Sequence, residues 1–197
     1  MKREFEIIAD LLPNNCRVLD VGCGDGTLMN YLSKEKNIDV RGLELDETNV
    51  ETCISKGLSV IEGNAENELG QFPDKSFDYV VLSQTLQAFY SPVTVLDHLL
   101  RIGKSSIVSV PNFGHWKVRT DLLFFGRMPK TTSLPYQWFD TPNLHMCTIK
   151  DFYELCVNKK IKMEKIVGIN NNKTSLIHNN NIKLKNFFSE VGIFLIS

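Results

Sequence analysis

Phe5, Ile8 and Leu12, with Ile7 and Leu11 beside them, recur at helical spacing until Pro13-Asn14 interrupts, which predicts a short opening helix. Val18-Leu19-Asp20-Val21 then forms a mostly apolar run that ends in Gly22, Gly24 and Gly26, after which Leu28, Tyr31 and Leu32 resume a 3.6-residue period. That pattern predicts a strand, a tight turn and a helix. The alternation continues with a strand over 40–45, a helix over 47–55 ended near Gly57, and strands over 58–61 and 77–82. A helix over 93–101 with Gly103 as its stop and a strand over 106–110 follow. Strands separated by helices in this order require a parallel sheet covered on both faces with right-handed crossovers, so the fold class is α/β.

Regularity changes after Pro111. Val118, Leu122 and Phe125 predict a short helix closed by Gly126, but 127–147 carries Pro129, Pro135 and Pro142 and little periodicity. An insertion of this length, about 112–147, reads as a lid or binding loop, and its aromatics Tyr136, Trp138 and Phe139 argue against disorder. Thr148 with Asp151 three residues on is a capping-box pattern for a helix over 149–157. A strand over 163–169, Asn-rich loops at 170–172 and 179–181, and a closing strand at 194–196 complete a single domain over 1–197. Ser175-Leu176-Ile177 is too short to assign.

Charge and cysteine usage narrow the function. Twenty-two Lys+Arg against 23 Asp+Glu give a net charge of −1, which supplies no field to draw nucleic acid or an anionic membrane. Cys16, Cys23, Cys53, Cys147 and Cys156 contain no C-x-x-C pair and read as free buried thiols in a reducing compartment. The first twelve residues are interrupted by charges, unlike a signal peptide, and no apolar run approaches the roughly 20 residues of a membrane span. A cytoplasmic protein is expected.

The chemistry lies first in Asp20-Val21-Gly22-Cys23-Gly24-Asp25-Gly26, a D-x-G-x-G-x-G turn at the end of the first strand. Glycines let the chain turn sharply and bring a ligand against bare N–H groups. A dinucleotide fingerprint would place its third glycine where Thr27 stands. Asp20, Asp25 and the strand-end Glu44 would repel a pyrophosphate and suit a cationic ligand, while Glu44 can accept from ribose hydroxyls. A nucleoside bearing a sulfonium and an ammonium, S-adenosylmethionine, meets each condition.

Residues 18–28 resemble the first motif of class I S-adenosylmethionine-dependent methyltransferases, and Leu43-Glu44 their acidic second motif. The resemblance implies a Rossmann-like, mostly parallel seven-stranded sheet. It also implies that Asp20, Gly22, Cys23 and Gly24 face the methionine end, with Glu44 and Leu45 at the ribose. Asn64 and Ala65 stand where many members present an Asp to adenine, and Ser83 follows the fourth strand. Ser83-Gln84-Thr85-Leu86-Gln87 replaces the Asn-Pro-Pro-Tyr of base-amino methyltransferases, so nucleic acid is not the expected substrate.

That stretch, with Pro111-Asn112-Phe113-Gly114-His115-Trp116, Gly126-Arg127-Met128-Pro129 and 134–143, is similar to the methionine biosynthesis protein family MetW, over about 16–157. The resemblance implies a protein of methionine synthesis that partners and supports a homoserine O-acyltransferase. The alternative is an active S-adenosylmethionine-dependent methyltransferase acting on a small molecule.

Two features stay open at this level. Trp116, Phe124, Phe125, Tyr136, Trp138 and Phe139, with Arg119, Arg127 and Lys130 among them, read either as a docking surface or as core residues with Trp138 in a lid. Asp121 and Asp140 interrupt the basic residues and argue against nucleic acid. His115 and His145 are the candidates for a catalytic base, each equally readable as a loop anchor. His145 with Cys147 lacks the second half of a metal site, and no metal is expected.

Overall fold

A computed structural model describes residues 2–197, and its strands form one eight-stranded sheet in the order β3-β2-β1-β4-β5-β8-β6-β7. The strands are β1 (Arg17–Val21), β2 (Asp39–Glu44), β3 (Ser59–Glu62), β4 (Phe77–Ser83), β5 (Gly103–Pro111), β6 (Met163–Asn170), β7 (Lys173–Leu176) and β8 (Val191–Ile196). The helices are α1 (Arg3–Leu11), α2 (Thr27–Lys36), α3 (Glu47–Ser55), α4 (Ala65–Glu68), α5 (Pro92–Ile102), α6 (Trp116–Thr120), α7 (Ile149–Asn158) and α8 (Ile182–Phe188). The first five strands pair in parallel, and β8 is antiparallel to both β5 and β6. Among the described residues no helix is long and apolar enough to cross a membrane.

The alternation along each strand divides the core. Leu19, Val21, Val80, Leu82, Val108 and Phe194 meet α5 and α7 on one face. Val18, Val81, Ile107 and Ile193 meet α1 and α2 on the other. Continuous apolar strands are what a sheet buried on both faces demands.

Three expectations are corrected. The sheet has eight strands rather than seven, because Asn170 and Lys173 pair across Asn171-Asn172 and return the chain as an edge hairpin. Asn171 takes the left-handed backbone such a two-residue turn needs, at φ 51°, which asparagine tolerates. The stop at Gly103 holds, since α5 ends at Ile102 with Gly103 as its cap, but the strand expected from 106 already opens at Gly103, where a Cβ would meet the Ser105 carbonyl at 2.7 Å and Val80 at 2.9 Å. Phe124 and Phe125 are 73% and 72% exposed, so they are not core.

Asn112, just past β5, ties the second half of the chain to the sheet. Its buried amide donates to the carbonyls of Asn186 (2.7 Å) and Ser189 (2.6 Å) and accepts from the N–H groups of Gly114 (2.9 Å) and Ile149 (3.3 Å). The Thr148–Asp151 capping box then starts α7 as the sequence pattern predicts. Asn112→Ala strands four buried partners, so chemical denaturation is expected to show a loss of about 3 kcal/mol, with Asn112→Asp recovering only the acceptor half. A loss below about 0.5 kcal/mol in Asn112→Ala would show that water replaces the amide.

Candidate functional site

The strand order reverses between β1 and β4, and a cleft opens there beyond the carboxyl ends of the strands, as this topology requires. Its volume is about 660 Å³, and its floor holds Asp20, Gly22, Cys23 and Gly24 from the first turn and Ser83 and Gln84 from the fourth. The two turns approach closely. A Cβ on Gly22, whose φ is +69°, would lie 2.9 Å from the Thr85 side chain, so only glycine fits.

The turn is held from within. Gly22 N–H donates to the Leu43 carbonyl (2.7 Å), Gly26 N–H to the Cys23 carbonyl (3.1 Å) and Gly24 N–H to Glu44 Oε2 (2.7 Å). The amides expected to be bare are therefore engaged, and they form no nest for a phosphate. Glu44, buried at the end of β2, also accepts from Leu45 N–H (3.0 Å) and Asp46 N–H (2.9 Å) through Oε1. Of about four lone-pair positions on a carboxylate, one on Oε2 remains for a ligand.

Asp20 lies on the face of β1 that carries Val18 and is only 2% exposed. Burial, with the neighbouring Glu44 carboxylate second, pushes its carboxyl up to about 7. Asp25 is the opposite case: the Thr27 hydroxyl, with Lys56 a lesser contributor, holds its carboxyl below the usual range. Cys23 beside Asp20 is a buried thiol raised by desolvation, so it is no nucleophile at neutral pH.

A further acid completes the cleft. Glu4, buried in the first turn of α1, accepts from Ser83 Oγ at 2.9 Å and also receives the Gln84 amide and the Ser109 hydroxyl. Ser83 and Ser109 are register partners on adjacent strands, so α1 is latched by one carboxylate to the ends of β4 and β5. Gln84 is held at φ 49°, left-handed for a non-glycine residue, by its N–H bonds to the Ser109 carbonyl and hydroxyl. The signal for Glu4 was present in the sequence: it sits three and four residues before Ile7 and Ile8, inside the apolar stripe of α1. Glu190 adds a fourth acid, accepting from Asn171 N–H (3.1 Å) with Lys117 at 3.7 Å.

The remaining candidates fall elsewhere. Glu44, Leu45, Asn64 and Ala65 do not line the cleft; Glu44 lies behind the Gly22–Gly24 turn that it holds, and Asn64 caps α4 by accepting from Glu66 N–H at 2.9 Å. His115 is buried at the start of α6 with Nε2 unpartnered, and desolvation lowers its pKa; it does not line the cleft. His145 is exposed, its N–H donating to the Gln87 carbonyl at 3.0 Å. Cys147 is raised by burial to about 11. Tyr136, from the aromatic run of the 112–147 segment, and Thr132, Ser133 and Asn143, which the sequence did not single out, bring that segment against the cleft as its outer wall.

A family model described as methionine biosynthesis protein MetW matches residues 2–196. A bifunctional methionine biosynthesis protein MetXA/MetW of Rhodopirellula baltica is 33% identical over 159 residues, covering 76% of this chain and 26% of that protein. The chain thus spans about a quarter of the length of the curated relative it matches. Among solved structures, a SAM-dependent methyltransferase of Thermotoga maritima is 18% identical with a TM-score of 0.71, covering 99% of this chain and 87% of that one. One of Archaeoglobus fulgidus is 19% identical with a TM-score of 0.65, covering 98% and 93%. These likenesses show that the fold is that of class I methyltransferases.

The Asp20 carboxyl makes a stability prediction independent of any ligand. Its native value near 7 exceeds the unfolded 3.8, so between these pH values the native state holds more protons and stability falls as pH rises. Buried His115 works in the other direction below its ordinary value, so the difference between the wild type and Asp20→Asn isolates the carboxyl. Urea unfolding of the ligand-free protein should find the stability advantage of Asp20→Asn over the wild type growing by about 2–3 kcal/mol between pH 5 and pH 8. An advantage that shrinks over that range would show that the ionised carboxylate is stabilised rather than strained.

Proposed function

This chain belongs to the MetW family of methionine biosynthesis proteins, and on that premise we propose that it binds S-adenosylmethionine in the cleft and supports a homoserine O-acyltransferase as its partner. The observation that carries the binding is Asp20: a carboxylate almost wholly withdrawn from water, with Glu44 and Glu4 nearby already bonded to protein donors. A ligand that brings positive charge relieves that burial, whereas a phosphate aggravates it.

The residues present fit the group. Asp20 would face the ammonium or sulfonium of the methionine end, and the Gly22–Gly24 backbone would let that end lie close. The free position on Glu44 Oε2 would take one ribose hydroxyl. Asn64, committed as a helix cap, keeps a second lone pair for the adenine amino group, a weaker partner than an aspartate. When bound, the cofactor supplies an activated methyl group, but regulation needs only its presence. S-adenosylmethionine is made from methionine, so a protein that binds it can report methionine supply to an early enzyme of the route.

The acyltransferase partnership is supported by the relative in which a MetW segment and a MetXA segment share one chain. Fusion keeps two modules at high effective concentration and is useful when they act together. Gln87 gives the cleft a link to the outer loop. Its side chain lines the cleft with Oε1 unpartnered, and its carbonyl accepts from both Leu144 (2.9 Å) and His145 (3.0 Å).

Calorimetric titration with S-adenosylmethionine is expected to show affinity rising roughly tenfold from pH 6 to pH 8, the ratio of ionised fractions of a group near 7. Asp20→Asn should bind more weakly at pH 8 and lose the pH dependence. No heat with the native chain removes the cofactor half of the proposal. The partner half is tested by acyltransferase turnover with and without this chain: equal activity and separate elution on gel filtration would remove it. Methyl transfer to a small molecule under those conditions would establish the enzyme reading in its place.

A further inference from the structure

One stretch of the chain gathers a run of large apolar side chains left open to solvent. Directly after α6, Asp121–Phe125 winds as a π-helical turn, a wide turn that often marks functional positions, and leaves Leu123, Phe124 and Phe125 more than 70% exposed. Three residues on, Met128 lies on the rim of an apolar groove of about 300 Å³ that Leu134, Tyr136, Trp138, Leu144 and Met146 also line. Trp138 itself is 72% exposed. Exposed apolar side chains beside an apolar groove are the features of an interaction site, and 300 Å³ lies at the lower bound for a small-molecule pocket but is ample for one or two anchoring side chains.

We propose that the surface running from Leu122 to Met146 is where the acyltransferase docks, an apolar contact with an acidic rim on the partner's side. This rests on the partnership argued above. Two observations choose the occupant. With Lys117 paired to Glu190, the stretch between 116 and 146 still holds three basic residues, Arg119, Arg127 and Lys130, against two acidic ones, Asp121 and Asp140, although the whole chain is at −1. A second copy placing the same patch against itself would oppose like charges, which disfavours a symmetric dimer, whereas an acidic rim complements them. The groove also shares Tyr136 and Asn143 with the cleft, so a partner seated there presses on the wall that would close over the cofactor.

The test titrates this chain into a purified homoserine O-acyltransferase by interferometry, comparing wild type, Leu123→Asp with Phe124→Asp, and a control, Ile54→Asp, on the exposed side of α3. Wild type and control should bind alike. The double variant should bind roughly thirtyfold more weakly or worse, the effect of removing hot-spot residues, while its melting temperature and S-adenosylmethionine binding stay at wild-type values. Arg127→Glu with Lys130→Glu should slow association and reverse its salt dependence, and this decides the matter if the apolar variant does not fold. Wild-type affinity in both variants overturns the surface and leaves the partnership standing. No binding by wild type overturns the partnership and the surface together. A wild-type dimer that the apolar variant converts to a monomer, with acyltransferase binding unchanged, assigns the face to self-association and overturns the proposal.

Discussion

The structure depends on how carboxylates are accommodated at the carboxyl edge of a sheet that is apolar almost everywhere else. Burying an ionised carboxylate is unfavourable by several kcal/mol unless hydrogen bonds or cations replace its water. Glu44 meets that condition with three backbone N–H groups, and in doing so it fixes the Gly22–Gly26 turn against the end of β2. Glu4 meets it with two hydroxyls and an amide, and so fastens α1 to β4 and β5. Asp20, between them, is the member left to a ligand or to a proton. The cleft is therefore a consequence of the fold's switch point together with an imbalance between buried acids and the donors supplied for them.

Much of this was legible from the sequence, and for a physical reason. Strands buried on both faces must be continuous apolar runs, so 18–21, 77–82 and 106–110 could not be mistaken, and a polar Asp20 inside such a run already needed an explanation. The glycine turn and the Thr148–Asp151 cap are likewise local codes. What escaped is what local codes do not carry. Helix α8, Ile-Lys-Leu-Lys-Asn-Phe-Phe, alternates like a strand at its start and buries Asn186 in its stripe, so its periodicity is obscured. The hairpin strand β7 is four residues long and gains its identity from pairing with β6. Glu4 was visible only as a charge out of place, because its partners lie about 80 and 105 residues away.

Electrostatics also separates what the fold can and cannot say. A shared class I methyltransferase fold locates the cleft and nothing about its chemistry, since function lies in the residues grafted on it. Here the loop amides are spent on Leu43, Cys23 and Glu44, leaving an acceptor-rich floor. Such a floor discriminates by charge and by donor count: a dinucleotide offers phosphates to it, and a sulfonium amino acid offers an ammonium. Discrimination arises as much from the absent anion nest as from the acids present, which is why a glycine turn alone is a weak guide to the ligand.

Gln87 is the residue through which cleft and outer surface meet. Its side-chain amide donates to the Gln84 carbonyl at 2.5 Å on the floor of the cleft, and its own carbonyl anchors Leu144, which lines the apolar groove. On the partnership reading, binding at either end then lowers the conformational entropy still to be lost at the other, and no movement of the sheet is needed. Linkage makes such an effect reciprocal: if cofactor tightens docking by some factor, docking tightens cofactor by the same factor. On that reading the coupling would run through the 131–146 wall, because the sheet beneath it is packed on both faces. A sensor built this way responds to occupancy alone, and it works whether or not the methyl group ever leaves.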